Sequence, residues 1–305
     1  MSAPPGGDRT GPWFGLFLPQ LRMSFDTILE RTLAAEAAGF DSVWLMDHLA
    51  APAAPDQDTF EGWTLAAALA VRTTTIRIGH LVTADPFRHP AVLAKMAATV
   101  DVCSGGRLEL GLGWGSVDAE LAAFGIDGGN RRERAARMRE SIEVLNLMFA
   151  GEPFDYEGAH LTLHGAIGRP MPVQCPRPPL HVGGAGPVLT MPIVADHADW
   201  WNCPSYAIDR LEELRPLAGD ARVSVQHPVA LAPDAAARDD VLAAAQRRFG
   251  AWGGLVGGTA TEVADALGAE AASGVEGFVV QCSDFGRPET VAQFMAEVAP
   301  TVRTA

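Results

Sequence analysis

The stretch Ile76–Gly115 (IRIGHLVTADPFRHPAVLAKMAATVDVCSGGRLELGLGWG) decides the fold. Its apolar periodicity predicts a strand over Ile76–Val82, a helix over Pro90–Val102 and a second strand over Leu108–Leu112. Pro90 suits the first turn of a helix, where its missing N–H costs nothing. A strand, a helix and a strand in this order predict parallel strands with the helix packed outside the sheet.

The same alternation continues on both sides of this stretch. Further strands are predicted at Trp13–Pro19, Ser42–Met46, Leu180–Val182, Ala198–Asn202, Val223–Leu231 and Gly277–Gln281. Further helices are predicted at Phe25–Ala38, Phe60–Val71, Arg131–Phe149, from Pro187 onward, and at Ala207–Pro216, Asp234–Phe249, Thr261–Ala272 and Pro288–Val298. About eight strand-then-helix units over roughly 250 residues predict an α/β fold, a closed (β/α)₈ TIM barrel. A doubly wound open sheet is the alternative, but Pro19-Gln20-Leu21 follows the first strand where that fold has Gly-x-Gly-x-x-Gly.

One segment interrupts the alternation after the fourth unit. Residues 150–179 are rich in Gly, Pro and aromatic residues, which indicates an insertion with a hairpin at Phe154–Leu163 turned at Glu157-Gly158. His160 and His164 lie there at i, i+4 with no carboxylate at ligand spacing, so a surface hairpin is favoured over a metal site. We expect residues 1–12 to form a disordered tail and residues 13–305 a single domain.

Charge and cysteine usage narrow the classes of partner. The formal net charge is -14, and such a field repels phosphate backbones and anionic lipid. We therefore expect neither nucleic acid nor membrane as a partner. The four cysteines show no C-x-x-C spacing, which predicts reduced thiols in a cytoplasmic protein.

Polar residues and glycines cluster where the predicted strands stop. In strand order they are Gln20; Asp47 and His48; Val82, Thr83 and Asp85; Gly113, Trp114, Gly115 and Ser116; Gly183 to Gly186; Asn202; Gln226 and His227; and Gln281, Cys282 and Ser283. The active sites of such barrels lie at these carboxyl ends. The sequence therefore predicts one pocket there with a few convergent polar groups.

Asp47-His48, directly after the second strand, is the sharpest candidate pair. Histidine transfers protons near neutral pH, so we predict a catalytic role for His48. The structural alternative is that Asp47 caps the following turn and that His48 packs.

Two glycine-rich segments follow the fourth and fifth strands. Gly111-Leu112-Gly113-Trp114-Gly115 has glycines at alternate positions, which lets a flat ring or another backbone approach closely. Tight strand packing is the alternative, and Trp114 is either a stacking wall or a core residue. Gly183-Gly184-Ala185-Gly186-Pro187 leads into a predicted helix, where successive N–H groups attract phosphate. This position departs from the usual barrel phosphate site, which follows strands seven and eight.

Taken together, these segments resemble the luciferase-like monooxygenase superfamily, and more closely its deazaflavin-dependent branch. The resemblance runs in family order through Phe14–Gln20, Ala35–His48, Gly79–Arg107, Leu108–Gly115, Pro178–Pro187, Ala195–Asn202 and Gly258–Val280. It implies a barrel with an inserted segment, usually a homodimer, that binds FMN or coenzyme F420, an 8-hydroxy-5-deazaflavin.

The resemblance also implies roles for particular residues. Asp47 and His48 would contact the deazaflavin and serve in proton transfer, and a non-prolyl cis bond would fall at Leu81–Val82, against the ring. The cofactor-binding residues expected are Asp47, Leu81, Val82, Thr83, Gly113, Trp114, Gly115, Gly183, Gly184, Ala185 and Gly186, the last four at the cofactor phosphate. The substrate contacts expected are Phe17, Gln20, Trp114 and His227.

Three functional hypotheses follow. The first is hydride transfer between deazaflavin C5 and a small or medium organic substrate, with His48 moving the proton and Asp47 orienting the ring. The second is an FMN-dependent monooxygenase fed by a separate flavin reductase, and the third is a non-catalytic barrel that binds a ligand. Some deazaflavin dehydrogenases have an acidic glutamate soon after the fourth-strand glycines. Here Ser116-Val117-Asp118 stands at that place, which disfavours a sugar-phosphate dehydrogenase.

Overall fold

The computed structural model describes residues 11–52 and 54–304. Within these residues the strands are β1 (Trp13–Phe17), β2 (Ser42–Leu45), β3 (Arg77–His80), β4 (Thr83–Ala84), β5 (Leu108–Gly113), β6 (Phe154–Glu157), β7 (Thr162–Ala166), β8 (Leu180–Gly183), β9 (Trp200–Pro204), β10 (Arg222–Leu231), β11 (Val256–Gly258) and β12 (Gly277–Cys282). The predicted tail lies largely outside this range, at residues 1–10.

The α-helices of the described residues are α1 (Phe25–Ala38), α2 (Gly62–Ala70), α3 (Pro90–Ser104), α4 (Asp118–Ala123), α5 (Arg131–Ala150), α6 (Met191–His197), α7 (Leu211–Leu214), α8 (Arg238–Phe249), α9 (Ala260–Ala272), α10 (Pro288–Gln293) and α11 (Ala299–Arg303). A π-helical turn, Phe294–Val298, joins the last two. None of the helices described is both long and apolar enough to cross a membrane.

Eight parallel strands close into a barrel. Their order is β1, β2, β3, β5, β8, β9, β10 and β12, and β12 pairs with β1 again. The (β/α)₈ prediction is therefore confirmed. The short β4 continues β3 after a break and pairs with β5, while β6 and β7 form the predicted hairpin in the inserted segment.

Local signals in the sequence set the ends of the long helices. Ser24 accepts a hydrogen bond from the Thr27 N–H at the start of α1, and Gly39 ends the helix with a φ of 90°. Asn130 and Glu133 form a reciprocal capping box at the start of α5. These caps explain why the predicted boundaries of both helices agree with the structure within one residue.

Aromatic side chains fill the inside of the barrel. Trp13, Trp44 and Trp200 surround His181, with ring centroids of Trp44 and His181 4.8 Å apart. These residues come from strands that are not all neighbours, so they meet across the barrel. Phe17 belongs to the same buried cluster. Side chains of the described residues thus fill the inside of the barrel, as is usual for this fold.

The second half of the chain departs most from the predicted elements. The helix expected from Pro187 begins at Met191, after a turn, and the helix expected at Ala207–Pro216 is a 3₁₀–α–3₁₀ succession over residues 205–217. Pro187 and Pro216 lack the N–H that a regular helix needs, which limits both segments. Neither α4 nor β11 was predicted, because each is too short to show a period.

The hydrogen bonds of Arg107 connect the end of α2 to the sheet, and we expect them to stabilise the fold. Its buried guanidinium donates to the carbonyl oxygens of Ala70 and Thr73 at 2.8 and 3.0 Å, and to the Thr73 hydroxyl at 2.9 Å. We expect Arg107→Met to lower the free energy of unfolding by about 3 kcal/mol, because buried acceptors lose their donors. Urea denaturation followed by circular dichroism measures this, with exposed Arg72→Met as the control. Equal stability of the two variants would contradict the prediction.

Candidate functional site

A cavity of about 1040 Å³ opens at the carboxyl ends of the strands. Eleven of the predicted site residues line it: Asp47, His48, Leu81, Val82, Gly113, Trp114, Gly115, Gly183, Gly184, Ala185 and Gly186. They come from the ends of β2, β3, β5 and β8, which the barrel brings to one rim. Its size is in the range of sites for cofactors and other small molecules.

Glycines make room for the end of β3 at the cavity wall. A Cβ on Gly113 would lie 2.5 Å from Val82 Cγ2, and a Cβ on Gly183 would lie 3.1 Å from Val82 Cγ1. A Cβ on Gly111 would lie 1.9 Å from the carbonyl oxygen of His80. The Leu81–Val82 peptide bond is cis, as the resemblance implied. Close strand packing, one of the alternatives considered for Gly111–Gly115, is therefore present, and Leu81 and Val82 line the cavity.

The Asp47 carboxylate is fixed by Arg88. Arg88 Nη1 and Nη2 donate to Asp47 Oδ2 and Oδ1 at 2.7 and 2.8 Å, and the Ala84 N–H donates to Oδ2 at 2.8 Å. Asp47 is 4% exposed, so this bidentate pair compensates a carboxylate that is largely withdrawn from water. Asp47 therefore carries a fixed negative charge, paired with a cation, at the cavity wall.

The imidazole of His48 is oriented by Glu120. His48 Nδ1 lies 2.7 Å from Glu120 Oε2, while Glu120 Oε1 accepts the N–H groups of Leu49 and Ala50 at 2.6 and 3.1 Å. Because a carboxylate accepts, Nδ1 carries the hydrogen and Nε2 is left for the cavity. The side chain of His48 is 29% exposed and that of Glu120 is 6% exposed. His48 is thus a positioned proton donor or acceptor with one nitrogen available.

Glu120 corrects part of the sequence analysis. The site does contain a carboxylate after the fourth-strand glycines, two residues beyond Asp118, in the unpredicted helix α4. Asp118 itself pairs with Arg134 at 2.6 Å, and Ser116 lines the cavity. The absence of a glutamate at Ser116–Asp118 therefore does not argue against any dehydrogenase.

The segment Gly183–Gly186 forms the cavity rim before α6. Gly184 has a φ of 125°, its N–H donates to the Asn202 carbonyl at 3.2 Å, and its carbonyl accepts from Trp201 Nε1 at 2.7 Å. Within the described residues, the N–H groups of Ala185 and Gly186 have no hydrogen-bond partner. Trp114 stands beside this segment and donates to Thr190 Oγ1 at 3.3 Å. The rim thus offers backbone donors to an anion next to an aromatic wall.

Four predicted contacts do not line the cavity. Phe17 packs among the tryptophans inside the barrel, Thr83 is fully buried, and both amide atoms of Gln20 bond the backbone of Met46. His227 stands between Gln226 and Pro228, which line the cavity, so the alternation of β10 turns His227 to the opposite face. These positions do not agree with the contacts expected of the four residues.

His227 instead joins the loop at the cavity mouth to helix α9. Its Nδ1 lies 2.8 Å from the Gly254 carbonyl oxygen and its Nε2 lies 2.8 Å from Glu270 Oε2 on α9. Gly254 follows Trp252, which lines the mouth together with Tyr206. His227 therefore holds a loop at the site without contacting its contents.

Other residues of the site escaped sequence reasoning altogether. Arg88 and Glu120 act through partners 41 and 72 residues away, a separation that no local pattern reveals. Arg131, Tyr206 and Trp252 line the cavity from loops and a helix start. His160 and His164 lie exposed on the hairpin, away from the cavity lining.

The fold and the cavity together define a (β/α)₈-barrel protein with a ligand site at the carboxyl ends of its strands. The chain belongs to the luciferase-like monooxygenase family, whose sequence model matches residues 5–304. This confirms the resemblance in the sequence.

Curated relatives share parts of the chain. An F420-dependent glucose-6-phosphate dehydrogenase of Microbacterium testaceum is 34% identical over 164 residues, which are 53% of this chain and 48% of that protein. An F420-dependent hydroxymycolic acid dehydrogenase of Mycobacterium tuberculosis is 30% identical over 228 residues, 71% of this chain and 59% of that protein. The matched regions thus span only about half the length of these relatives.

Solved structures of similar fold cover nearly the whole chain. An F420-dependent secondary alcohol dehydrogenase in complex with an F420-acetone adduct has a TM-score of 0.79 at 20% identity, covering 96% of this chain and 99% of that chain. The FMN-bound oxygenating constituent of 3,6-diketocamphane monooxygenase of Pseudomonas putida has a TM-score of 0.78 at 19% identity, covering 95% and 98%. At these identities the likeness shows the fold alone.

The Glu120 contacts lead to a test in solution. We expect Glu120→Ala to raise the hydrogen-exchange rates of the Leu49 and Ala50 amides at least about tenfold, because each loses its acceptor. Glu120→Gln keeps a carbonyl acceptor and is expected to raise them less. Asp118→Ala, on the same helix, is the control and should leave both amides unchanged. Unchanged exchange in Glu120→Ala would refute the assigned contact.

Proposed function

We propose that this protein is a coenzyme F420-dependent oxidoreductase that transfers a hydride between the deazaflavin and a small-to-medium organic substrate. The observation that carries the proposal is the pairing of a positioned imidazole, His48, with a cavity wall to which Leu81, Val82 and glycines contribute. The curated relatives named above are F420-dependent dehydrogenases, which supports the choice of cofactor.

The residues at the cavity fit a flat ring with a phosphate-bearing chain. Gly113 and Gly183 leave Val82 and its backbone as the surface that a ring would meet. The N–H groups of Ala185 and Gly186 are free to receive phosphate oxygens. The Asp47 carboxylate and the Trp114 ring complete the set of residues that we propose to hold the cofactor.

Coenzyme F420, when bound, supplies two-electron hydride chemistry and does not readily activate oxygen. The chain supplies the proton transfer and the positioning. His48 Nε2 is the atom that we propose exchanges a proton with the substrate oxygen, while Glu120 stabilises the charged imidazole. Arg88 holds Asp47 in place, so the Asp47 charge orients the bound ring and leaves His48 to Glu120.

The wider setting of the enzyme forms part of the same proposal. We propose a cytoplasmic homodimer that relies on a separate F420 reductase or other F420-linked enzyme to regenerate its cofactor. All four cysteines are free thiols in the structure, which supports a reducing compartment.

Titration with the two candidate cofactors tests the proposal directly. We expect purified protein to bind oxidised F420 with micromolar affinity and FMN at least about tenfold more weakly, as followed by ligand fluorescence. The opposite preference, with oxygen uptake in the presence of reduced FMN, would favour an FMN-dependent monooxygenase with its own flavin reductase. Binding of neither would favour a non-catalytic barrel.

Gly113→Ala tests the cavity wall itself. The added Cβ would lie 2.5 Å from Val82 Cγ2, so Val82 and its backbone must move. We expect F420 affinity to fall by about tenfold or more, since overpacking costs about 1–3 kcal/mol and the ring loses its surface. Gly158→Ala in the hairpin is the control, because its Cβ meets the ends of the Glu140 and Tyr156 side chains, away from the cavity. Unaltered F420 affinity in Gly113→Ala would exclude this wall as the ring site.

A further inference from the structure

The two sides of the cavity differ in charge. Asp47, His48 and the glycine rim come from the loops after β2, β3, β5 and β8. The other wall comes from β9, β10, β12 and their loops, and its principal side chains are Asn202, Tyr206, Gln226, Pro228, Trp252 and Gln281. None of the lining residues contributed by β9, β10 and β12, within the described part of the chain, is charged.

Arg131, at the start of α5, is the one arginine or lysine among the described residues that line the cavity. Arg131 and Arg134 are three residues apart on α5, so they share a face of the helix. Arg134 lies 5.7 Å from the centroid of Trp114, whose Nε1 bonds Thr190 beyond the rim. We therefore assign Arg131 to the cofactor wall, and the lining residues from β9, β10, β12 and their loops bring no cation of their own.

Gln281 provides that opposite wall with an unused polar group. It lines the cavity, it is 1% exposed, and its side-chain Oε1 has no hydrogen-bond partner among the described residues. A buried amide oxygen without a partner costs about 1–3 kcal/mol, which a ligand that donates a hydrogen bond to it recovers. Gln226, on the neighbouring strand β10, also lines the cavity and brings a second uncharged amide.

Aromatic rings stand at the mouth of the same wall. Tyr206 is 69% exposed and Trp252 is 49% exposed, although both line the cavity. Their loops are joined to each other and to β10, since Ser205 Oγ donates to the Gly253 carbonyl at 3.1 Å and His227 bonds Gly254. Two partly exposed aromatic rings on joined loops are a surface for an apolar group of similar size.

We propose that the substrate is an uncharged, hydroxyl-bearing molecule with an apolar body about the size of a ring. A hydroxyl group donates a hydrogen bond to Gln281 Oε1, and the body lies against Trp252 and Tyr206. This assignment rests on the proposed function, because it places the cofactor on the opposite wall. It excludes sugar phosphates as substrates, since a phosphate dianion on this wall would find no cation to offset its lost hydration.

Binding measurements on the protein with and without oxidised F420 test the assignment. The probes are 1-phenylethanol, ethylbenzene, which has the same body without the oxygen, and glucose 6-phosphate, followed by saturation-transfer NMR and calorimetry. We expect 1-phenylethanol to bind with or without F420, and glucose 6-phosphate to bind at least about tenfold more weakly. Tighter binding of glucose 6-phosphate would overturn the proposal. Failure of F420 itself to bind would overturn the proposed function, separately from the probe results.

Substitutions of Gln281 and Trp252 test which side chains contact the two aromatic probes. Gln281→Leu should weaken 1-phenylethanol about tenfold and leave ethylbenzene and F420 unchanged, which no general loss of structure would do. Trp252→Ala should weaken both aromatic probes equally. Exposed Gln246→Leu on α8 is the matched control and should change nothing. Equal weakening of 1-phenylethanol and ethylbenzene by Gln281→Leu would refute the hydrogen bond, and undiminished binding in both variants would place the probes elsewhere.

Discussion

The site depends on the close approach of the end of β3 to the strands that follow it. The His80 carbonyl and the Val82 side chain occupy the volume that side chains at Gly111, Gly113 and Gly183 would need. Packing at this density leaves no room for relaxation, because protein interiors are filled like organic crystals. The chain leaves the sheet for Leu81 and Val82 and re-enters it at β4, and both residues line the cavity.

Consecutive residues at the end of β2 are used for different purposes. The Asp47 carboxylate accepts hydrogen bonds from the Arg88 guanidinium and from the Ala84 N–H, which attaches it to the segment after β3. The imidazole of His48 donates its Nδ1–H to Glu120 Oε2, which leaves Nε2 for the cavity. The two side chains are thus anchored to different parts of the chain, Asp47 to the segment after β3 and His48 to α4.

The barrel and the position of its cavity could be predicted from the sequence, because the barrel repeats a local pattern of strand and helix and the cavity lies where the strands end. The glycines after β5 and β8 and the Asp47-His48 pair were found in this way. Glu120 and Arg88 were not, since their partners become neighbours only when the barrel closes. His227 was misjudged for a related reason: the register of β10 decides which face a side chain takes, and a shift of one residue reverses it.

The two walls of the cavity come from separate stretches of the sequence. One wall is made entirely by residues 47–190 and the other by residues 202–281, and the two meet where β8 pairs with β9. Substitutions confined to residues 202–281 therefore change the residues of one wall and keep those of the other. The two walls are still joined, because the Gly184 backbone bonds the Asn202 carbonyl and Trp201 Nε1, so variation in the second wall is compatible with the first where this joint is kept.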